Sequence, residues 1–336
     1  MKRLFGAAAL ALLPFAVLAD RYVDRAIDEV IMPNLADFSA ATQRLSQEAA
    51  DDCGPQSAPL LAAWGGAMDA WLAVQEFRFG PLQEFGRRDQ IAFWPDVKGF
   101  RPRALHQVLT GRNTLLETPE NMANEAISVR GIYAIEALLY DPRFNSYGLG
   151  DPACDLMRLI ANDLLVNAQY LETQWQNGFA DTLKTAGEPG NTRYLSVQEA
   201  RQALFTGLTV SMQFDILERL GLPIGEAERA RPLRAEGRLS ERSQHNLSAS
   251  LAAHLQLAET LSADPAQAAR LGVAFAALEA RITALDDADF SGVSEPNGRF
   301  ALTVLATDYQ VLWDLVNREL GATLGVQVGL AGFDGD

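Results

Sequence analysis

Between Ile127 and Tyr140 the chain is apolar on nearly every side. Ile127, Val129, Ile132, Ile135, Leu138 and Leu139 leave no broad polar face. A helix of that composition packs among other helices. Glu136 is the only acid in this stretch, and Tyr133 lies one turn earlier on the same side. A carboxylate in such a place must be paired, coordinate a cation or keep its proton. Each state suits a functional site. A structural ion pair with Arg78 or Arg130 satisfies the same requirement. Gly131 leaves room for a second backbone to approach this helix closely.

A second stretch, Leu60 to Gln83, reads mostly as one long helix ending near Gly80 and Pro81. Leu60, Trp64, Met68, Trp71, Gln75 and Arg78 recur at spacings of four and three, so they share a face. Four large apolar residues give way to two polar ones. That change marks either a core opening into a pocket or a helix surfacing at the end of its bundle.

Other reactive patterns are missing from the sequence. The three histidines are His106, His245 and His254, and no H-E-x-x-H occurs, so the usual zinc-peptidase arrangement is absent. His245, beside Ser243 and Asn246, is the one placed to reach a shared site, although a histidine in such a position is more often a hydrogen-bonded surface or boundary residue. No G-x-S-x-G elbow and no glycine-rich phosphate loop after a strand appears. Cys53 and Cys154 are too far apart to suggest a metal site. In an oxidising compartment an even pair reads as a disulfide.

The first residues give that compartment. Lys2 and Arg3 precede an apolar run from Leu4 to Leu18, and Val17-Leu18-Ala19 reads as a cleavage site. Residues 1–19 are therefore expected to be a signal peptide, with the mature chain starting at Asp20 in the periplasm. No cysteine follows the cut to carry a lipid. No later stretch is apolar enough to span a bilayer, so a soluble product with no transmembrane segment is expected. The formal charge is −15, falling by two to −17 once Lys2 and Arg3 are lost. Such a surface repels phosphate backbones, so nucleic acid and anionic lipid are poor partners for it.

Alanine and leucine dominate and β-branched runs are scarce, which favours helices. Helices are expected over Asp20–Glu48 (kinked or broken by Pro33), Ala104–Leu116, Pro119–Tyr140 and Ala153–Thr182. Arg87–Arg103, with Pro95, Gly99 and Pro102, should be irregular. Gly187, Pro189, Gly190 and Asn191 mark a linker over residues 184–195. Beyond it, Ser196 and Glu199 form a capping box for a helix reaching Leu220. Pro223–Ser240 is mixed, and Glu241–Ser262, Pro265–Leu285 and Arg299–Leu320 are helical. The expected architecture is all-α: two helical bundles, residues 20–183 and 196–336, packed with a cleft between them.

Gly131-Ile132-Tyr133-Ala134-Ile135-Glu136 resembles the G-x-H-x-x-E signature of the imelysin family, with Tyr133 in the histidine position. Trp71 to Pro81 is similar to the early helix of that family, and Trp94-Pro95-Asp96 to its W-P-D segment. Pro232 to Asn246, with Arg234, Glu236, Ser240 and Ser243, resembles its second-half motif. Gly332 to Asp336 resembles a shortened form of its C-terminal G-F-N…D-G-D. The likeness runs in order over nearly the whole mature chain.

The resemblance implies two helical domains with a site between them, export, and a link to bacterial iron uptake. Some members were named as insulin-cleaving metallopeptidases, and a related ferrous-uptake component has been assigned metal binding through H-x-x-E. Tyr133 removes the best transition-metal ligand from the motif; tyrosine ligates ferric iron beside other hard ligands. The favoured reading is therefore a binding protein. Glu136 and Arg78 are expected at the centre of its site, with Gln75, Tyr133, Trp94 and Asp96 from the first half and Arg234, Glu236 and Ser243 from the second. Iron, an iron chelate, haem or a peptide of an envelope partner would be its ligand, and zinc is disfavoured. The alternatives are a metal-dependent peptidase and a cell-envelope interaction module.

Overall fold

The computed structural model describes residues 20–111, 119–226 and 229–327. The expected leader (residues 1–19), residues 112–116 of an expected helix and the Gly332–Asp336 motif lie outside these. Among the described residues there is no strand, only an isolated bridge between Glu226 and Arg229. No helix among them is long and apolar enough to cross a membrane.

Helix α1 runs over residues 21–51. Asp20 caps it, its Oδ1 accepting from Tyr22 N and Val23 N. Of the kink or break expected at Pro33, no break occurs. The turn before, Ala26–Ile31, widens to a π-turn in which Met32 N–H donates to Ile27 O, and the α-helix resumes at Met32. The wider turn absorbs the donor that proline lacks.

Helix α2 spans Ala58–Val74, and its stripe Leu60, Trp64, Met68 and Trp71 is fully buried. It stops well short of Gly80, correcting the longer helix expected. Beyond Gln75 the chain tightens: Arg78 N–H reaches back to Glu76 O, and Phe79 N–H to Phe77 O. Short 3-10 turns, Gly80–Leu82 and Glu84–Gly86, lead into α3 (Arg87–Ile91). Helix α4 is Phe100–Thr110, capped by Asp96, whose carboxylate accepts from Phe100 N and Arg101 N, each at 2.8 Å.

Helix α5 is Gly131–Tyr140, shorter than expected because two 3-10 turns, Pro119–Asn124 and Ile127–Val129, precede it. Every residue from Gly131 to Leu139 is buried. The close approach expected at Gly131 is real. Its φ is +73°, and a Cβ there would lie 2.2 Å from Ile91 O. Helix α6 covers residues 152–184, bent at Gly178 within a π-turn. Cys53 and Cys154 are bonded, tying the end of α1 to the start of α6. Arg130, one of the two cations considered for Glu136, instead forms a buried two-point pair with Asp163 on α6.

After the loop 185–195, α7 covers residues 197–224 and includes a π-turn at Asp215–Leu220. Ser196 Oγ accepts from Glu199 N, and the Glu199 carboxylate accepts from Leu195 N, so the capping residues act as expected. Helices α8 (Ser243–Thr260), α9 (Pro265–Thr283) and α10 (Pro296–Leu324) complete the fold. The halves meet where α2 and the π-turn of α1 pack on α8. Buried apolar side chains from both halves join in one cluster.

Candidate functional site

The turn after α2 positions the deepest polar groups. It crosses α7 at Gly207, where a Cβ would sit 2.8 Å from Glu76 O. Only a residue without a side chain admits that crossing, which brings Gln75 and Glu76 against the second half. From that half, Asp215 and Arg219 project inward from α7, and Ser250 and His254 from α8. Both pairs are spaced i, i+4, so each shares a helix face.

These residues form one buried chain of charge. Arg219 sends Nε to Glu236 Oε2 (2.6 Å) and Nη2 to Glu236 Oε1 (2.9 Å), a two-point grip. Its Nη2 also reaches Gln75 Oε1 at 2.9 Å, and its Nη1 pairs with Asp215. Asp215 Oδ2 accepts from Tyr309 OH at 2.7 Å and faces His254 Nε2 at 3.2 Å. His254 Nδ1 meets Glu76 Oε2 at 2.9 Å. At the other end, Tyr133 OH donates to Glu236 Oε1 at 2.5 Å.

Burial alone disfavours charge here, and the pairing decides where charge persists. Desolvation works against protonated His254, but the hydrogen bonds of Asp215 and Glu76 outweigh it and raise its pKa to about 9. Desolvation pushes Asp215 up, yet Arg219, His254 and Tyr309 bring it down to about 2. Glu76 goes the other way: its burial exceeds the help from His254 and its pKa rises. Burial and Glu236 hold Tyr133 well above the ordinary phenol range.

Above this chain lies a cleft of about 170 Å³. Trp94, Asp96, Arg101 and Glu136 line it from the first half, and Arg234 and Arg238 from the second. Glu136 is buried at 4 % exposure, accepting from Ser240 Oγ (2.7 Å) and Ser240 N (3.3 Å). Burial raises its pKa, while Ser240 and nearby Arg101 oppose the rise. Asp141, also in the wall, is gripped by Arg143, whose Nε reaches Oδ1 at 2.9 Å and whose Nη2 reaches Oδ2.

Of the residues expected at the site, Trp94, Asp96, Glu136 and Arg234 therefore share the cleft. Tyr133, Glu236 and Gln75 belong to the buried chain beneath it. Ser243 Oγ donates to Glu236 O at 2.6 Å and holds that loop in place. Arg78 corrects the expectation: it is not the partner of Glu136. Because α2 ends early, its guanidinium lies over the Phe214 ring at 4.4 Å, and Nε and Nη2 have no partner among the described residues. Burial, Arg88 and Arg219 all lower its pKa.

Glu76, Arg101, Asp215, Arg219, His254 and Tyr309 were missed from the sequence. The available signal was the i, i+4 polar pairs Asp215/Arg219 and Ser250/His254 on otherwise apolar helices. His245, the histidine singled out, is half exposed and pairs with Asp69 at 2.8 Å.

The donor set does not fit a catalytic zinc ion. Tyr133 spends its hydroxyl on Glu236, Glu136 is held by Ser240, and both ring nitrogens of His254 face carboxylates. Among the described residues no three His, Cys, Asp or Glu side chains converge on one point.

Two packed halves, all helical, sharing a polar cleft over a buried charge chain define a helical protein of the imelysin class. The imelysin family model (Peptidase_M75: Imelysin) matches residues 31–312, and the chain belongs to that family. Its fold is similar to an imelysin-like protein from Psychrobacter arcticum 273-4, with a TM-score of 0.73 at 20 % identity, covering 92 % of this chain and 96 % of that one. It is also similar to a protein from Parabacteroides distasonis ATCC 8503 assigned as an iron-regulated protein A precursor, with a TM-score of 0.68 at 14 % identity, covering 89 % and 94 %. No sequence among the curated proteins matches significantly.

Proposed function

We propose that this chain is an exported binding protein of bacterial iron uptake, made of two helical domains divided at residues 184–195. In this reading a polar ligand sits in the cleft between them, and the protein works in the periplasm. The carrying observation is that both halves supply charged walls to one cleft, with Glu136 at its base held by Ser240 from across it. A wall of mixed arginines and carboxylates suits an iron chelate or a polar group of a larger ligand better than a bare cation. The leader-like first residues and the Cys53–Cys154 bond support export. The iron-regulated assignment of the Parabacteroides protein supports the iron link.

Isothermal titration with ferric iron, ferrous iron, haem and ferric siderophores tests the reading. At least one should bind, and Glu136→Gln should weaken it without altering the fold. Silence toward all four from a correctly folded chain would end it.

A further inference from the structure

We propose that the cleft selects a small organic anion, seating its carboxylate between Arg234 and Arg238. The proposal rests on the cleft reading above and names its ligand class.

The chain as a whole is strongly acidic, at −15, yet the cleft walls carry Arg101, Arg143, Arg234 and Arg238 against only Asp96, Glu136 and Asp141. Each acid is already engaged, although Glu136 only through Oε1. Asp96 caps α4 through two backbone donors. Glu136 accepts from Ser240 twice. Asp141 is held by Arg143, and Arg238 acts on it only at range. Arg101 donates Nη2 to Phe93 O and keeps Nε without a partner.

Arg234 and Arg238 remain. Among the described residues neither side chain makes a hydrogen bond or ion pair, and both border the same cavity. Further positive charge stands behind the wall. The Trp94 ring meets Phe214 edge-on at 5.7 Å, and Phe214 is flanked by Arg78 at 4.4 Å and Arg88 at 5.1 Å. Asp89 and Glu218 temper these two arginines without forming a close pair with Arg78. A guanidinium offers paired donors that match a carboxylate in geometry, so two unspent ones in one wall select for that group.

The rim defines the rest of the ligand. Trp94 and Pro95 border the cavity, and Val97 and Leu233 stand exposed at 50 % and 76 %. They offer cover for an apolar body next to the anionic group. The cavity is small, at about 170 Å³. A small acid or its metal chelate fits, whereas only a propionate of haem would enter.

The test is titration calorimetry of the full mature chain with citrate, ferric citrate, inorganic phosphate and putrescine, at low and raised salt. Citrate or ferric citrate should bind, and more weakly at raised salt. In the Arg234→Gln/Arg238→Gln double variant, binding should fall about tenfold to a hundredfold with an unchanged melting temperature, since both side chains are partly exposed. Binding that is equal in parent and double variant overturns the proposal, as does phosphate binding without carboxylate binding. Putrescine binding alone, lost in Glu136→Gln, defeats the anion class but keeps the cleft reading. No binding of any of these probes to folded protein overturns the anion proposal, and the iron, haem and siderophore titrations above decide the cleft reading separately.

Discussion

At the scale of single residues, His254 holds its proton well above neutrality because its two ring nitrogens face Asp215 and Glu76. The pKa of about 9 in the fold compares with 6.5 for an unperturbed ring. Between those values the native state keeps a proton that the unfolded chain has lost. The stabilisation is therefore complete below pH 6.5 and lost as pH rises toward about 9, at ~1.4 kcal/mol per pH unit. Asp215 works oppositely: depressed to about 2, it contributes above its unfolded pKa and is lost as acid is added. Urea melts across this range should show midpoints declining on the alkaline side. His254→Gln should remove that decline and, by leaving buried Glu76 without a cationic partner, lower stability by about 3–5 kcal/mol. A parent profile flat from pH 6.5 to 9 would show that the ring is neutral.

At the scale of elements, α5 carries Tyr133 and Glu136, and its start is fixed by contact with the end of α3. Gly131 has positive φ and no space for a Cβ, because Ile91 O and Gln90 O lie where the atom would go. Gly131→Ala should cost about 2–4 kcal/mol through strain and displacement of α5. Gly86 shares the positive φ, at +65°, but nothing lies within 4 Å of its would-be Cβ. Gly86→Ala should therefore cost only ~1–2 kcal/mol. Thermal melts of the two variants side by side separate crowding from backbone strain. Equal losses would mean that the α3–α5 contact yields easily.

At the scale of the whole molecule, the disulfide closes a loop of 101 residues that holds most of the first half of the cleft. In the chain-entropy account such a loop stabilises by up to ~4–5 kcal/mol. The Cys53→Ser/Cys154→Ser variant should melt lower than the parent and ignore dithiothreitol, whereas the parent should fall to the variant's level when reduced. The same scale holds the charge chain, since Tyr133–Glu236, Gln75–Arg219 and Glu76–His254 all bridge the halves. A variant that cuts one of these bridges is expected to disturb the cleft above as well as the fold.

The helices were legible from residue order because their signals are local. Apolar periodicity, the Ser196/Glu199 cap and the glycine and proline breaks act within a few residues of where they stand. The burial of Glu136 was legible for the same reason, since its own helix offers no wet face. Its partner was not. Arg78 looked aligned with the pocket face of α2 only while that helix was assumed to continue, and a backbone crossing at Gly207, more than a hundred residues away, is what accompanies its early end. Ser240 meets Glu136, and His254 meets Glu76, likewise across long separations. Pairing of that kind depends on which faces are brought together and how much water is removed, quantities that exist only once the helices have packed.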